Sequence, residues 1–206
     1  MNGWEAKAMD LDNNQMIALI GDVALPASIF LLGIIVSISL ERLKGEVARR
    51  NFVIEKQYEV FAVANAQLNK IYQYCTYVGG WSVQSPTEII ALKRELDEVI
   101  FGSLPLMNDG LVEAYNEFMA ACFDTKRGRS FGVAIKANRA RFEENENWVE
   151  EWVDCFVEPN SLEIGAGSYR RDVVLPSYVK LLAEFSELLV GRSGVQTENL
   201  KVLLEN

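Results

Sequence analysis

The alternation of apolar and polar positions divides the chain near residue 40. From Val23 to Leu40 eighteen consecutive residues carry no charge, and the apolar run reaches back to Met16, interrupted only by Gly21 and Asp22. At 1.5 Å per helical residue the charge-free part alone rises about 27 Å, close to the roughly 30 Å of a bilayer's hydrocarbon core. The pattern predicts a transmembrane helix over residues 16–40. The competing reading, a buried helix of a soluble protein, asks for a larger surrounding core than 206 residues offer. Glu41, Arg42, Lys44 and Glu46 then arrive with no cluster of Pro, Asn or Gly to stop a helix. Span and stalk are therefore expected to share one helix that ends near Val78.

Beyond the span the apolar positions take a seven-residue period. Leu40, Val47, Ile54, Phe61, Leu68 and Cys75 form one series, and Leu43, Ala64, Ile71 and Val78 lie three residues after members of it. This is the a/d seam of a coiled coil, interrupted at two consecutive d positions by Arg50 and Gln57, where polar groups cost stability and fix register and copy number. Farther along, Val53, Tyr58, Val60, Tyr72 and Tyr74 widen the stripe, which predicts that the distal half of residues 41–78 doubles as the first helix of a head. Self-association is then assigned to the span and the proximal stalk, through Leu40, Leu43, Val47, Arg50, Ile54, Gln57 and Phe61. The plainer alternative is an amphipathic bundle helix whose seven-residue spacing is accidental.

Within the span Asp22, Pro26, Gly33 and Ser37 fall on one side of an ideal helix, and Gly33 and Ser37 form a small-x-x-x-small pair that lets helices approach closely. Asp22 reads either as an interfacial cap with Pro26 in the first turn, or as a member of an acidic ring at a pore mouth.

In residues 79–192, Gly79-Gly80 reads as a helix C-cap, and Ser85-Pro86-Thr87-Glu88 as an N-cap, a first-turn proline and a capping-box glutamate. Helices are predicted from Pro86 to about Phe101, from Leu111 to Cys122, from about Phe131 to just before Pro159, and from about Pro176 to Gly191. The third of these carries Ile135, Phe142, Val149, Trp152, Val153 and Phe156 on its apolar positions. No segment alternates with period two. The expected fold is all-α: a short tail over residues 1–15, one transmembrane helix, a stalk, a helical head of four to five helices, and a C-terminal tail over residues 193–206 in which 195–204 is a short amphipathic helix or frays.

Composition narrows the function. The apolar fraction is 50% and there are only 5 prolines, which excludes a disordered chain. Net charge is −9, most of it beyond residue 40, so the head is a poor match for nucleic acid. There is no histidine, which removes the commonest general base and zinc ligand. Cys75, Cys122 and Cys155 are odd in number and widely spaced, and read as buried thiols. Only Lys7 precedes the span, whereas Arg42, Lys44, Arg49 and Arg50 follow it; the positive-inside tendency places the C-terminal head in the cytoplasm and the N-terminus outside.

Charge changes sign along the head: Lys126, Arg127, Arg129, Lys136, Arg139 and Arg141 precede Glu143, Glu144, Glu146, Glu150, Glu151, Asp154 and Glu158. This suggests either a docking face for an acidic partner, phosphate or lipid headgroup, or a solvated helix whose halves pair with neighbours. Gly165-Ala166-Gly167-Ser168, followed by Tyr169-Arg170-Arg171, has the composition of a phosphate-holding loop but matches neither nucleotide fingerprint. Arg127, Arg129, Arg139, Arg170 and Arg171 are the candidate contacts for an anion or a partner. Ser177-x-x-Lys180 has the spacing of a penicillin-binding active site without its companion motifs, and Trp148 and Trp152, one turn apart, read as core. No catalytic residue, metal ligand or cofactor is assigned.

The resulting expectation is a non-enzymatic, single-pass, homo-oligomeric protein of a bacterial inner membrane. Its cytosolic head senses or docks a protein partner, and its span and stalk self-associate, with membrane permeabilisation as an effector's output. A membrane-anchored scaffold that recruits a cytosolic partner is the second reading, and a membrane sensor of a phosphate or nucleotide ligand the third.

Overall fold

The structure, a computed structural model, describes residue 21 and residues 25–125, 132–157 and 169–190. The N-terminal tail, Asp22, Arg127, Arg129, the 165–168 loop and the 193–206 tail lie outside the described residues. The protein is mostly helical, with one long apolar helix near the N-terminus and two very short strands.

Helix α1, Leu25–Thr76, is 52 residues long and unbroken. The chain divides into two compact units at Phe52/Val53, so α1 contributes its first half to one and its second half to the other. In the first unit every described side chain from Pro26 to Phe52 is exposed, including Ile29, Phe30, Leu31 and Leu32 at 59% to 69%.

In the second unit α1 acquires a buried face. Gln57, Ala64, Leu68, Ile71, Tyr74 and Cys75 are all buried, at intervals of three, four or seven residues that keep them on one side of the helix. Helix α2, Pro86–Gly102, starts as its sequence requires: the Ser85 side chain accepts from the Glu88 amide while the Glu88 carboxylate accepts from the Ser85 amide. It contributes Ile89, Ile90, Leu96 and Ile100 to the core. A 3₁₀ turn, Leu104–Leu106, leads to α3, Asp109–Cys122, capped by the Asn108 side chain, which accepts from the Leu111 amide at 2.7 Å. Helix α3 buries Leu111, Ala114, Tyr115, Phe118 and Cys122, and packs chiefly against the last helix.

The segment 132–157 corrects the sequence reading. It is not a helix and therefore not a solvated one with a basic and an acidic half. Strand β1, Phe123–Asp124, pairs antiparallel with β2, Ala134–Ile135, and Ile135 bridges to Phe156 in parallel. Helix α4 is only Ala140–Glu143, and Glu150–Cys155 is a 3₁₀ helix. Two asparagines explain the break. The Asn138 side chain accepts from the Ala140 amide, and Asn145 donates from Nδ2 to the Ser82 carbonyl at 2.6 Å, so each uses hydrogen bonds that anchor turns instead of a regular helix. Gly132, with φ at +64°, turns the chain into β2. Of the apolar residues assigned to the helix, Ile135, Phe142 and Phe156 reach the core by this other route, whereas Val149 is exposed.

The last helix, α5, runs Leu175–Val190 and is entered through a π turn, Arg170–Val174. Pro176 has no amide hydrogen to offer the turn before it, and the backbone responds with a wider one, in which the Leu175 amide bonds to the Arg170 carbonyl. Tyr178, Leu181 and Phe185 carry α5 into the common core, where Phe185 packs on Phe61 with ring centres 5.2 Å apart and Tyr178 stacks on Tyr72 at 4.4 Å.

Two buried polar groups are specifically answered. Lys93 donates to Asp97 at 2.6 Å, and the other oxygen of that carboxylate accepts from the Tyr115 hydroxyl at 2.7 Å. Burial, then that carboxylate, pushes the Tyr115 phenol well above its ordinary range. Cys75, Cys122 and Cys155 are buried free thiols; burial, and then the neighbouring Cys75, pushes Cys122 well up, so it stays protonated and unreactive.

Candidate functional site

Two parts of the structure have features that packing alone does not explain. The first is the N-terminal part of α1. It is the one helix among the described residues long and apolar enough, by length and composition, to cross a membrane, and none of its most apolar stretch is buried. Its hydroxyl chemistry suits such a setting, since Ser39 Oγ donates back to the Ile35 carbonyl at 2.8 Å and needs no water. Gly33 has nothing within 4 Å of the space a side chain would occupy, and Pro26 and Ser37 are exposed as well. The proposed stalk positions separate into two groups. Leu40, Leu43, Val47 and Arg50 are exposed, and Ile54 is partly so. Gln57 is buried with its Nε2 donating to the Leu106 carbonyl at 2.7 Å, and Phe61 packs against the head core, so both serve the second unit.

The second part is the end of α1. The helix stops at Thr76, and the residue that takes the left-handed conformation after it is Tyr77, with φ at +58°. The Val78 amide bonds back to the Gln73 carbonyl at 3.1 Å, the six-to-one bond of a Schellman motif. This corrects the expectation that Gly79-Gly80 forms the cap: Gly79 is also left-handed, at +63°, but stands two residues later. A non-glycine residue in this conformation costs about 1 kcal/mol or more, and the ring's contacts offset it. The Tyr77 ring packs edge-on against Trp81 at 5.3 Å and tilted on Phe142 at 5.5 Å, and its hydroxyl accepts from the Asn138 amide.

Two guanidiniums lie on that ring, Arg141 at 5.0 Å and Arg170 at 4.9 Å from its centre. Arg170 also donates from Nη1 to the Thr76 carbonyl at 2.8 Å, a cation at the negative end of a helix. Burial pushes the Tyr77 phenol up to about 12, while the Asn138 amide and the two arginines oppose the rise.

Of the candidate cations, Arg139 is held by Glu143 at 2.8 Å, and Arg171 is exposed. The structure does not gather them with Arg170. Arg141, which it does bring to Arg170, sits in a basic run where nothing in the sequence distinguishes it from its neighbours. Tyr77 gave no signal either, because the glycines behind it offered the cheaper cap.

Ser177 and Lys180 form no catalytic pair: Ser177 donates to the Val174 carbonyl at 2.9 Å, and Lys180 is bound by Glu117 at 2.7 Å. Trp148 and Trp152 meet edge to face at 5.8 Å, and Trp148 packs on the core. Among the described residues no group of three acidic or cysteine side chains converges to hold a metal ion. No family model, no curated protein and no solved structure matches this chain.

Proposed function

We propose that the chain is a single-pass protein of a bacterial inner membrane, with residues 16–40 spanning the bilayer, the N-terminus outside and a non-enzymatic head in the cytoplasm that docks a partner protein. The observation that carries this reading is α1 itself. Its first half exposes large apolar side chains all round, and its second half is a core element of the head. An uncovered apolar surface of that size is costly in water and favourable in lipid. The four cations from Arg42 to Arg50, all exposed, support the assigned orientation.

For the head we infer a bundle of the distal half of α1 with α2, α3 and α5, on which the 123–157 segment is an irregular cover. Span and proximal stalk self-associate in this reading, with Gly33 and Ser37 at the close approach and Leu40, Leu43 and Val47 continuing the seam. Its output is a change in span packing that permeabilises the membrane.

Induced expression with a membrane-potential dye tests the output. Depolarisation that disappears in Gly33→Leu or Asp22→Leu supports an effector. An intact potential at high expression contradicts it and leaves the span as the anchor of a scaffold.

A further inference from the structure

We propose that Arg141 and Arg170, held on the Tyr77 ring, bind the phosphate group of a small phosphorylated ligand. Three observations converge on these residues. Both guanidinium carbons lie within 5.0 Å of one ring centre, so the same tyrosine holds two positive charges. Neither makes an ion pair among the described residues, whereas Arg139, two residues from Arg141, is paired with Glu143. Arg141 is exposed, so its N–H groups are open to a ligand.

Packing does not require this arrangement. Arg170 has a structural task at the Thr76 carbonyl, but the Arg141 side chain is exposed and makes no hydrogen bond to the backbone among the described residues, so its charge is brought beside another at a cost. The turn is made by a left-handed tyrosine although glycines follow at once, and strained backbone of this kind concentrates where a side chain must be presented. The tyrosine holds both guanidiniums against its ring; Arg170 spends Nη1 on the Thr76 carbonyl, which leaves its other N–H groups and those of Arg141 to grip phosphate oxygens. A phosphate dianion neutralises both charges at once, which a single carboxylate does not.

The inference does not rest on the membrane reading, because every residue in it belongs to the Val53–Asn206 unit; the two fail separately. Its test is calorimetric titration of the full chain in neutral detergent with inorganic phosphate, with adenosine 5′-monophosphate, and with a short-chain phosphatidic acid, each against chloride at matched ionic strength. Saturable binding of at least one probe, one site per chain, weakened about tenfold or more in Arg141→Gln and partly restored in Arg141→Lys, is the expected result. Response to phosphate or the nucleotide assigns a soluble ligand, and response to the lipid alone assigns a headgroup. Arg170→Gln should also lose binding, but it uncaps α1, so the exposed Arg141 is the decisive position. Equal binding by wild type and Arg141→Gln, or no saturable binding of any probe up to about 20 mM, overturns the proposal.

Discussion

At the scale of single residues, Tyr77 carries the most information. Its backbone is in the conformation that favours glycine, while its ring joins Trp81, Phe142, Arg141 and Arg170. Tyr77→Gly relieves the backbone and removes every one of those ring contacts. The loss of a half-buried aromatic outweighs roughly 1 kcal/mol of strain, so the variant should be destabilised by about 2 kcal/mol or more in chemical denaturation. Tyr77→Phe keeps the ring and separates out the hydroxyl. A phenol whose folded pKa lies above its unfolded one contributes stability that is complete below about pH 10 and lost as pH rises through about 12. Wild type should therefore lose stability across that window by up to roughly 1.4 kcal/mol per pH unit for this group, and Tyr77→Phe should show a shallower decline in melting temperature. Tyr169, also raised to about 12 by burial, and the buried Tyr74 and Tyr115 phenols, raised further, add dependence of the same sign and keep the decline from vanishing altogether. Gln57→Leu tests a different residue. It leaves the Leu106 carbonyl without its donor and should cost about 1 kcal/mol.

At the scale of elements, the legible helices were those whose boundaries are local chemistry. The start of α2 depends on Ser85, Pro86 and Glu88 alone, and it forms with both capping-box bonds made. Ser85→Ala should accordingly cost about 1 kcal/mol, read as a lowered denaturation midpoint with unchanged slope. The 132–157 segment was illegible for the complementary reason. Its apolar residues recur at spacings that suit a helix, but its backbone is claimed by partners far away in sequence, Cys122 for Lys136 and Ile135 for Val157, and the Asn145 side chain is claimed by the Ser82 carbonyl. Periodicity records which side chains are buried, not what buries them, and Ile135, Phe142 and Phe156 are core residues on either description. The seven-residue seam met the same limit. Ala64, Leu68, Ile71 and Cys75 fit a coiled coil by spacing, yet in the structure they are covered by the chain's own head. The cluster around Tyr77 was hidden because it unites residues 77, 141 and 170, a meeting no local pattern encodes.

At the scale of the whole molecule, the central claim is that α1 enters a membrane with its first half while its second half builds the head on the cation-rich side. Without lipid, Phe30, Leu31, Leu32 and Ile35 would face water, each more than half exposed. Burying them in hydrocarbon is worth roughly 1.5 kcal/mol or more per large side chain, so the sum over the span dominates where the protein resides. A detergent-solubilised chain should for the same reason aggregate when the detergent is removed without lipid. The most direct measurement is protease digestion of membranes bearing the full chain, washed at alkaline pH to strip peripheral proteins and prepared as right-side-out and inside-out vesicles. The account predicts that the chain stays in the washed membrane and that the head is digested only in inside-out vesicles. A chain released by the wash, or a head digested in right-side-out vesicles, would contradict it.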